Sequence, residues 1–77
     1  MELKILGTGC AKCKKLEEIT RAAASELGIN FTIEKITELE KIMSYSVMST
    51  PALVVNGTVK LSGRVPSIED IKKILTT

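Results

Sequence analysis

The 77-residue chain has no histidine, no tryptophan, one phenylalanine, one tyrosine, two prolines and two cysteines. Without imidazole, a tetrahedral structural zinc site would need a second chain or added carboxylates to complete four ligands. Phe31 and Tyr45 are the only rings, too few for a stacking platform. There is no dense basic stripe either: eleven Lys and Arg face nine Asp and Glu, for a formal charge of +2. Nucleic acid is therefore not an expected partner. No apolar run approaches the ~20 residues that span a bilayer. The opening Met1–Leu6 lacks the basic region and long apolar stretch of a signal peptide. These features predict a cytoplasmic protein with no membrane partner. Phosphate-loop, Rossmann and carboxylate-dyad signatures are missing, which leaves nucleotide-dependent and hydrolytic chemistry without a motif.

What is present fits one small α/β domain over residues 1–77. Hydrophobic residues make up 44% of the chain and charged ones 26%, enough for a core and for solubility. A chain of this size buries only about 60% of its unfolded surface, so its stability margin is thin. The two cysteines, Cys10 and Cys13, stand three apart in the run Gly7-Thr-Gly-Cys-Ala-Lys-Cys-Lys-Lys. In a cytosolic protein such a pair is more often redox-active or metal-binding than a staple. A staple closing so short a loop would constrain the unfolded chain little.

Leu3 to Leu6 reads as a short buried strand, with Gly7 and Gly9 loosening the backbone after it. From Ala11 to Leu27, Leu16, Ile19, Ala23 and Leu27 recur at helical spacing, and Gly28 is a left-handed stop. Ile29 to Ile36 suits a second strand, with Phe31 as core. Thr37 and Glu40 read as a capping box for a second helix whose inner stripe is Leu39, Ile42, Met43 and Val47. That helix must end before Pro51, because the residue preceding proline is pushed out of helical geometry. Met43 and Met48 read as core filler, with Met48 near enough to Pro51 to line a groove. Tyr45 is expected at the helix margin with its hydroxyl in water.

Ala52 to Val55 is a third strand, Asn56-Gly57 a two-residue hairpin turn, and Thr58 to Leu61 a fourth strand. Simple alternation points Val59 and Leu61 to one face and Thr58 and Lys60 to the other. Gly63 and Pro66 mark a turn. Ser67 with Asp70 caps a last helix whose inner face is Ile68, Ile71, Ile74 and Leu75. The order is β-α-β-α-β-β-α. The helical crossover makes the first two strands parallel, and the hairpin makes the last two antiparallel.

Both cysteines fall where a strand ends and a helix begins. The positive end of a helix favours thiolate over thiol, and the thiolate is the form that attacks disulfides and binds soft metals. Lys12, Lys14 and Lys15 oppose the macrodipole by roughly 0.3–1 kcal/mol each, yet the same cations favour a thiolate at Cys10. A plainer account pairs Lys14 and Lys15 with Glu17 and Glu18 on a solvated helix face. For the cysteines, the plainer account is two small core residues at helical spacing.

The Cys-x-x-Cys opening the first helix, the Thr50-Pro51 immediately before a strand, and the hairpin leading to a final helix resemble a minimal thioredoxin or glutaredoxin-like fold. The strand-Gly-Thr-Gly-Cys opening, the Asn-Gly hairpin and the Gly63-Arg64-Val65 turn are similar to those of small archaeal and bacterial thioredoxin-like redox-active disulfide proteins. The resemblance covers essentially the whole chain. It implies a four-stranded mixed sheet with helices on both faces, a redox-active Cys10–Cys13 disulfide and no other cofactor. It also implies a protein that reduces protein or small-molecule disulfides and is recharged by an upstream reductase; a monomer is expected. Cys10 would attack and Cys13, one turn deeper, would resolve. Pro51 would be cis and lie against the pair. Thr50 would offer its backbone to an extended substrate, and Gly63 would keep the adjoining loop low enough for it to approach. Gly9 and Lys12, flanking Cys10, would tune its thiolate.

Two departures stand out. The usual motif has tryptophan before the first cysteine and proline between the two, where this chain has Gly9, Ala11 and Lys12. No buried acid is evident as a proton relay, since the first strand offers only Glu2 and Lys4. A second functional class is a Cu(I) chaperone or sensor, because two thiolates can hold Cu(I). Copper-chaperone domains of this length run β-α-β-β-α-β, with methionine two before the first cysteine. Here that position is Thr8, and a helix near Thr37 separates the second and third strands.

Overall fold

In the computed structural model the residues described are 1–8, 11–47 and 49–76. They form β1 (Glu2–Leu6), α1 (Ala11–Glu26), β2 (Thr32–Ile36), α2 (Leu39–Ser44), β3 (Ala52–Val55), β4 (Thr58–Ser62) and α3 (Ile68–Leu75). The sheet order is β2-β1-β3-β4. β1 and β2 are parallel, whereas β1/β3 and β3/β4 are antiparallel. This is the four-stranded mixed sheet of a minimal thioredoxin fold.

Alternation along β1 divides the core between the two faces of the sheet. Leu3 and Ile5 join Leu16, Ala23, Ala24, Leu53, Ile71 and Leu75 in the main core, under α1 and α3. Leu6 turns the other way and packs with Ile36, Ile42, Val47, Ala52 and Val54 beneath α2. All four residues of β3 are buried, consistent with a central strand covered on both faces.

Local stop and start signals are met where short-range chemistry dictates. Gly28 has φ +69°, Gly28 N–H donates to the Ser25 carbonyl, and Ile29 N–H donates to the Ala24 carbonyl, both at 3.1 Å. That pair of bonds is a Schellman stop, and Ile29 packs back onto the core as such a stop requires. Asn56 and Gly57 both have positive φ, which lets the two-residue turn follow the twist of its strands. Ser67 and Asp70 make the reciprocal capping box of α3.

Four expectations are corrected. Thr37 and Glu40 do not cap α2: the N-cap is Glu38, with no side-chain cap bond. The chain is still extended at Glu38 (φ −77°, ψ 125°), so helical geometry starts too late for Thr37 to reach it. Leu39 and Met43 are 64% and 63% exposed and are not part of the inner stripe or the core. A six-residue helix presents barely one inward position, which Ile42 fills. Val47 reaches the core only after the left-handed Ser46 (φ 61°) has ended the helix. β2 is shorter than expected, because the N–H of Ile29 is used by the stop of α1. Finally, Val59 and Leu61 lie on opposite faces. β4 carries a bulge: Val54 faces Val59 and Leu53 faces Leu61, so Lys60 is the extra residue and the alternation inverts.

The contrast across α2 is testable by urea unfolding. Ile42→Ala should cost about 2–5 kcal/mol, whereas Leu39→Gln and Met43→Gln should each stay within about 0.5 kcal/mol of the parent.

Candidate functional site

The site is built by sheet register. Leu6 is opposite Ile36 on one side and Ala52 on the other, and Ala52 is opposite Ser62. The next residue at each of these strand ends is Thr37, Gly7, Pro51 or Gly63. Four chain segments far apart in sequence therefore converge at one end of the sheet. Gly7 N–H donates to the Ile36 carbonyl (3.0 Å), and Gly63 N–H donates to the Pro51 carbonyl (2.9 Å). The first turn of α1 reaches this edge and brings Cys13 with it.

Cys13 is 6% exposed. Its sulfur lies against the backbone of Gly7. A methyl group at Gly7 would overlap Cys13 Sγ outright, and would stand 3.3 Å from Cys13 Cβ and 4.0 Å from Pro51 Cα. Gly7 is thus required by contact: the strand end is the wall on which the sulfur rests. In the sequence it had read only as a loosening of the backbone.

Pro51 is fully buried and the Thr50–Pro51 bond is cis. Thr50 itself is exposed. Gly63 adopts φ +76°, and a Cβ there would come within 3.0 Å of Ser49 Cβ. The loop after β4 is therefore held close to the one before β3. Lys12 is exposed on α1. Gly9, Cys10 and Met48 lie outside the described residues.

A pocket of about 140 Å³ opens beside the buried cysteine, lined by Ile5, Gly7, Cys13, Lys14, Lys35 and Thr37. Thr37, relieved of any capping role, serves as part of its wall. Of the lining residues, Lys35 is held by Glu17, whose side chain is 15% exposed, accepts from Arg21 Nε at 3.0 Å and pairs with Lys35 Nζ at 3.3 Å. Lys14 and Lys15 make no ion pair with Glu17 or Glu18 of the sort expected; Glu17 is engaged by the next turn of its own helix and by β2. Burial works to raise the Glu17 pKa, but the hydrogen bonds from Arg21 and Lys35, with their charges, outweigh it and hold the carboxyl below its ordinary value.

Across the sheet, Lys4 Nζ donates to Tyr45 Oη at 3.2 Å and lies 5.9 Å from the ring centroid. The tyrosine hydroxyl thus has a protein partner and not only water. That bond chiefly, with the nearby Glu34 carboxylate, raises the lysine pKa against the opposing effect of burial. Glu2 is exposed, and neither it nor Lys4 lines the pocket beside Cys13. No cluster of three or more potential metal ligands occurs among the described residues, and no helix among them is long and apolar enough to cross a membrane.

A sheet flanked on both faces, with a buried cysteine on the first helix against the end of the first strand and a buried cis-proline alongside, defines a thioredoxin-type domain. Residues 1–76 match the Thioredoxin domain family model, and the chain belongs to that family. It is 47% identical over 76 residues to a thioredoxin of Methanothermobacter thermautotrophicus, covering 99% of both chains. It is 37% identical over 73 residues to a thioredoxin of Methanocaldococcus jannaschii, covering 95% of this chain and 84% of that one. A probable thioredoxin of M. thermautotrophicus is 34% identical over 65 residues, which is 80% of this chain and 75% of that one.

Two outcomes are expected from this geometry. Gly7→Ala should push the Cys13 sulfur off its wall, costing about 1–3 kcal/mol by overpacking. It should also speed alkylation of Cys13 when Cys10 is replaced by serine. Unfolding curves and timed mass spectrometry measure the two effects. The lowered Glu17 pKa means that its ion pairs stabilise the fold above the ordinary carboxylate pKa and lose that contribution as pH falls through the lowered value. Urea midpoints recorded down a pH series should show this acid-side loss in the parent and less of it in Glu17→Gln.

Proposed function

We propose that the protein is a thiol–disulfide oxidoreductase, a single thioredoxin-like domain in which Cys10 and Cys13 form the dithiol–disulfide couple. The observation that carries the reading is the seat of Cys13, buried in the first turn of α1 and pressed against Gly7 beside Pro51 in a chain of the thioredoxin family. Family membership supports disulfide exchange as the general activity. Cys10 precedes Ala11, the first residue of α1, in sequence. α1 has no acidic residue in its first turn, where Lys12 and Lys14 stand. The helix end and these cations favour ionisation of a neighbouring thiol.

In this reading Cys10 thiolate attacks one sulfur of the substrate disulfide. A Cys10–substrate S–S bond forms, the substrate S–S bond breaks, and one substrate thiolate leaves to take a proton from water. Cys13 then gives up its proton and attacks the Cys10 sulfur, releasing the second substrate thiolate. Two electrons pass to the substrate, and the protein is left with a Cys10–Cys13 disulfide. An upstream reductase returns it to the dithiol. Thr50 and Pro51 form one wall of the substrate groove, and Gly63 keeps the opposite loop clear. Gly9 and Lys12, on either side of Cys10 in sequence, tune its thiolate. No further cofactor is needed, and the exchange runs in the cytoplasm on a monomer.

The test is equilibration in thiol–disulfide buffers, rapid alkylation and weighing of the products. A two-electron transition with a defined midpoint is expected. Cys13→Ser should leave a trappable mixed disulfide on Cys10, and Cys10→Ser should lose exchange at least a hundredfold. Failure to form the intramolecular disulfide, together with tight Cu(I) binding, would replace this reading with that of a soft-metal carrier.

A further inference from the structure

The pocket beside Cys13 has a size and a charge of its own. Its volume of about 140 Å³ is close to that of a cavity known to hold benzene, so it takes a short chain of a few heavy atoms. It is too small for the several hundred Å³ of a typical ligand site. Ile5, Gly7 and Cys13 make an apolar floor, and Lys14 and Lys35 stand at the wall. No carboxylate is among the described residues that line it. Glu17, which pairs with Lys35, is shared with Arg21. Glu17 thereby fixes Lys35 beside the pocket, where Lys14 is the second lining cation.

We infer that this pocket receives the anionic arm of a low-molecular-weight disulfide, a short apolar chain ending in a carboxylate or a similar acid, and so makes such disulfides preferred substrates. The inference rests on the oxidoreductase reading and adds the substrate class. The apolar chain lies on Ile5 and Gly7, and the acid is met by Lys14 and Lys35. The arm's sulfur is then presented at the cysteine pair. Exchange itself is unchanged: the substrate S–S bond is reduced to two thiols, the Cys10–Cys13 bond forms, and both electrons come from the protein dithiol. Lys14 and Lys35 are positioning residues, since they touch the acid and not the reacting sulfurs.

The experiment compares three disulfides of similar length: 3,3′-dithiodipropionate (anionic), 2-hydroxyethyl disulfide (neutral) and cystamine (cationic). Each is reduced by the freshly reduced protein, and each rate is divided by the rate with dithiothreitol to remove intrinsic reactivity. The anionic-to-neutral ratio also cancels any effect of a mutation on the cysteine pair itself. The ratio should exceed one, and the cationic-to-neutral ratio should fall below one. Lys14→Gln and Lys35→Gln should each lower the anionic preference about two- to fivefold, the range of an exposed ion pair, and added salt should erode it. Lys60→Gln, which removes the same charge from the exposed bulge of β4, should leave the ratio unchanged. No anionic preference would overturn the inference, as would a loss in Lys60→Gln equal to that in the pocket variants, while reduction of the neutral disulfide kept the oxidoreductase reading intact. If none of the three disulfides nor a protein disulfide is reduced, both readings fall together.

Discussion

The contact between the Cys13 sulfur and the bare backbone of Gly7 is the constraint around which this small protein is arranged. A helix can bring a sulfur this close to a strand end only if the strand offers no side chain there. In return the strand end shields the sulfur from solvent. Because Leu6 is in register with Ile36, Ala52 and through it Ser62, Thr37, Pro51 and Gly63 come to the same end of the sheet as that contact. The sheet register and the site are one geometric fact.

The two faces of the sheet carry unequal loads. α1 and α3 cover most of the large apolar side chains, with Leu16, Ala23, Ile71 and Leu75 closing over β1 and β3. The α2 face is thin, anchored by Ile42 and Val47, and it leaves Leu39 and Met43 in water. Such a layer contributes less stability per residue, because hydrophobic stabilisation follows the area removed from water. On this face Lys4 reaches over to Tyr45 and ties β1 to the end of α2 through a polar bond. On the other face Glu17 clasps Lys35 and fastens α1 to the edge strand β2 beside the pocket. Each face thus has a polar tie between separate elements.

Much of the local architecture was legible because its causes are local. Gly28, Asn56-Gly57 and the Ser67–Asp70 box act within a few residues of themselves, through positive φ or a bond to a near neighbour. Their effect does not depend on what packs against them. The misread elements are those where a distant contact decides. Thr37 carries a capping-box pattern but follows β2 in extended geometry and becomes pocket wall. Val59 and Leu61 follow simple alternation until the pairing of β4 with β3 inserts Lys60 as a bulge. Leu39 and Met43 have helical spacing, but a six-residue helix offers them no partner.

The amino-acid order alone determined the succession of elements, the thioredoxin-like class and the placing of two cysteines at a strand-to-helix junction. The element order and the cysteine placement follow from periodicity, turn chemistry and spacing, which act over short stretches of chain, whereas the class came from the resemblance of the motifs to a known family. Only the tertiary structure decided that Cys13 is buried against Gly7 and that Lys35 stands at the same pocket. It also decided that Glu17 spends its charge on Arg21 and Lys35 instead of on its lysine neighbours in α1. These are meetings between residues on separate elements. They are set by strand register and by the angle at which α1 crosses the sheet, and no local pattern encodes either.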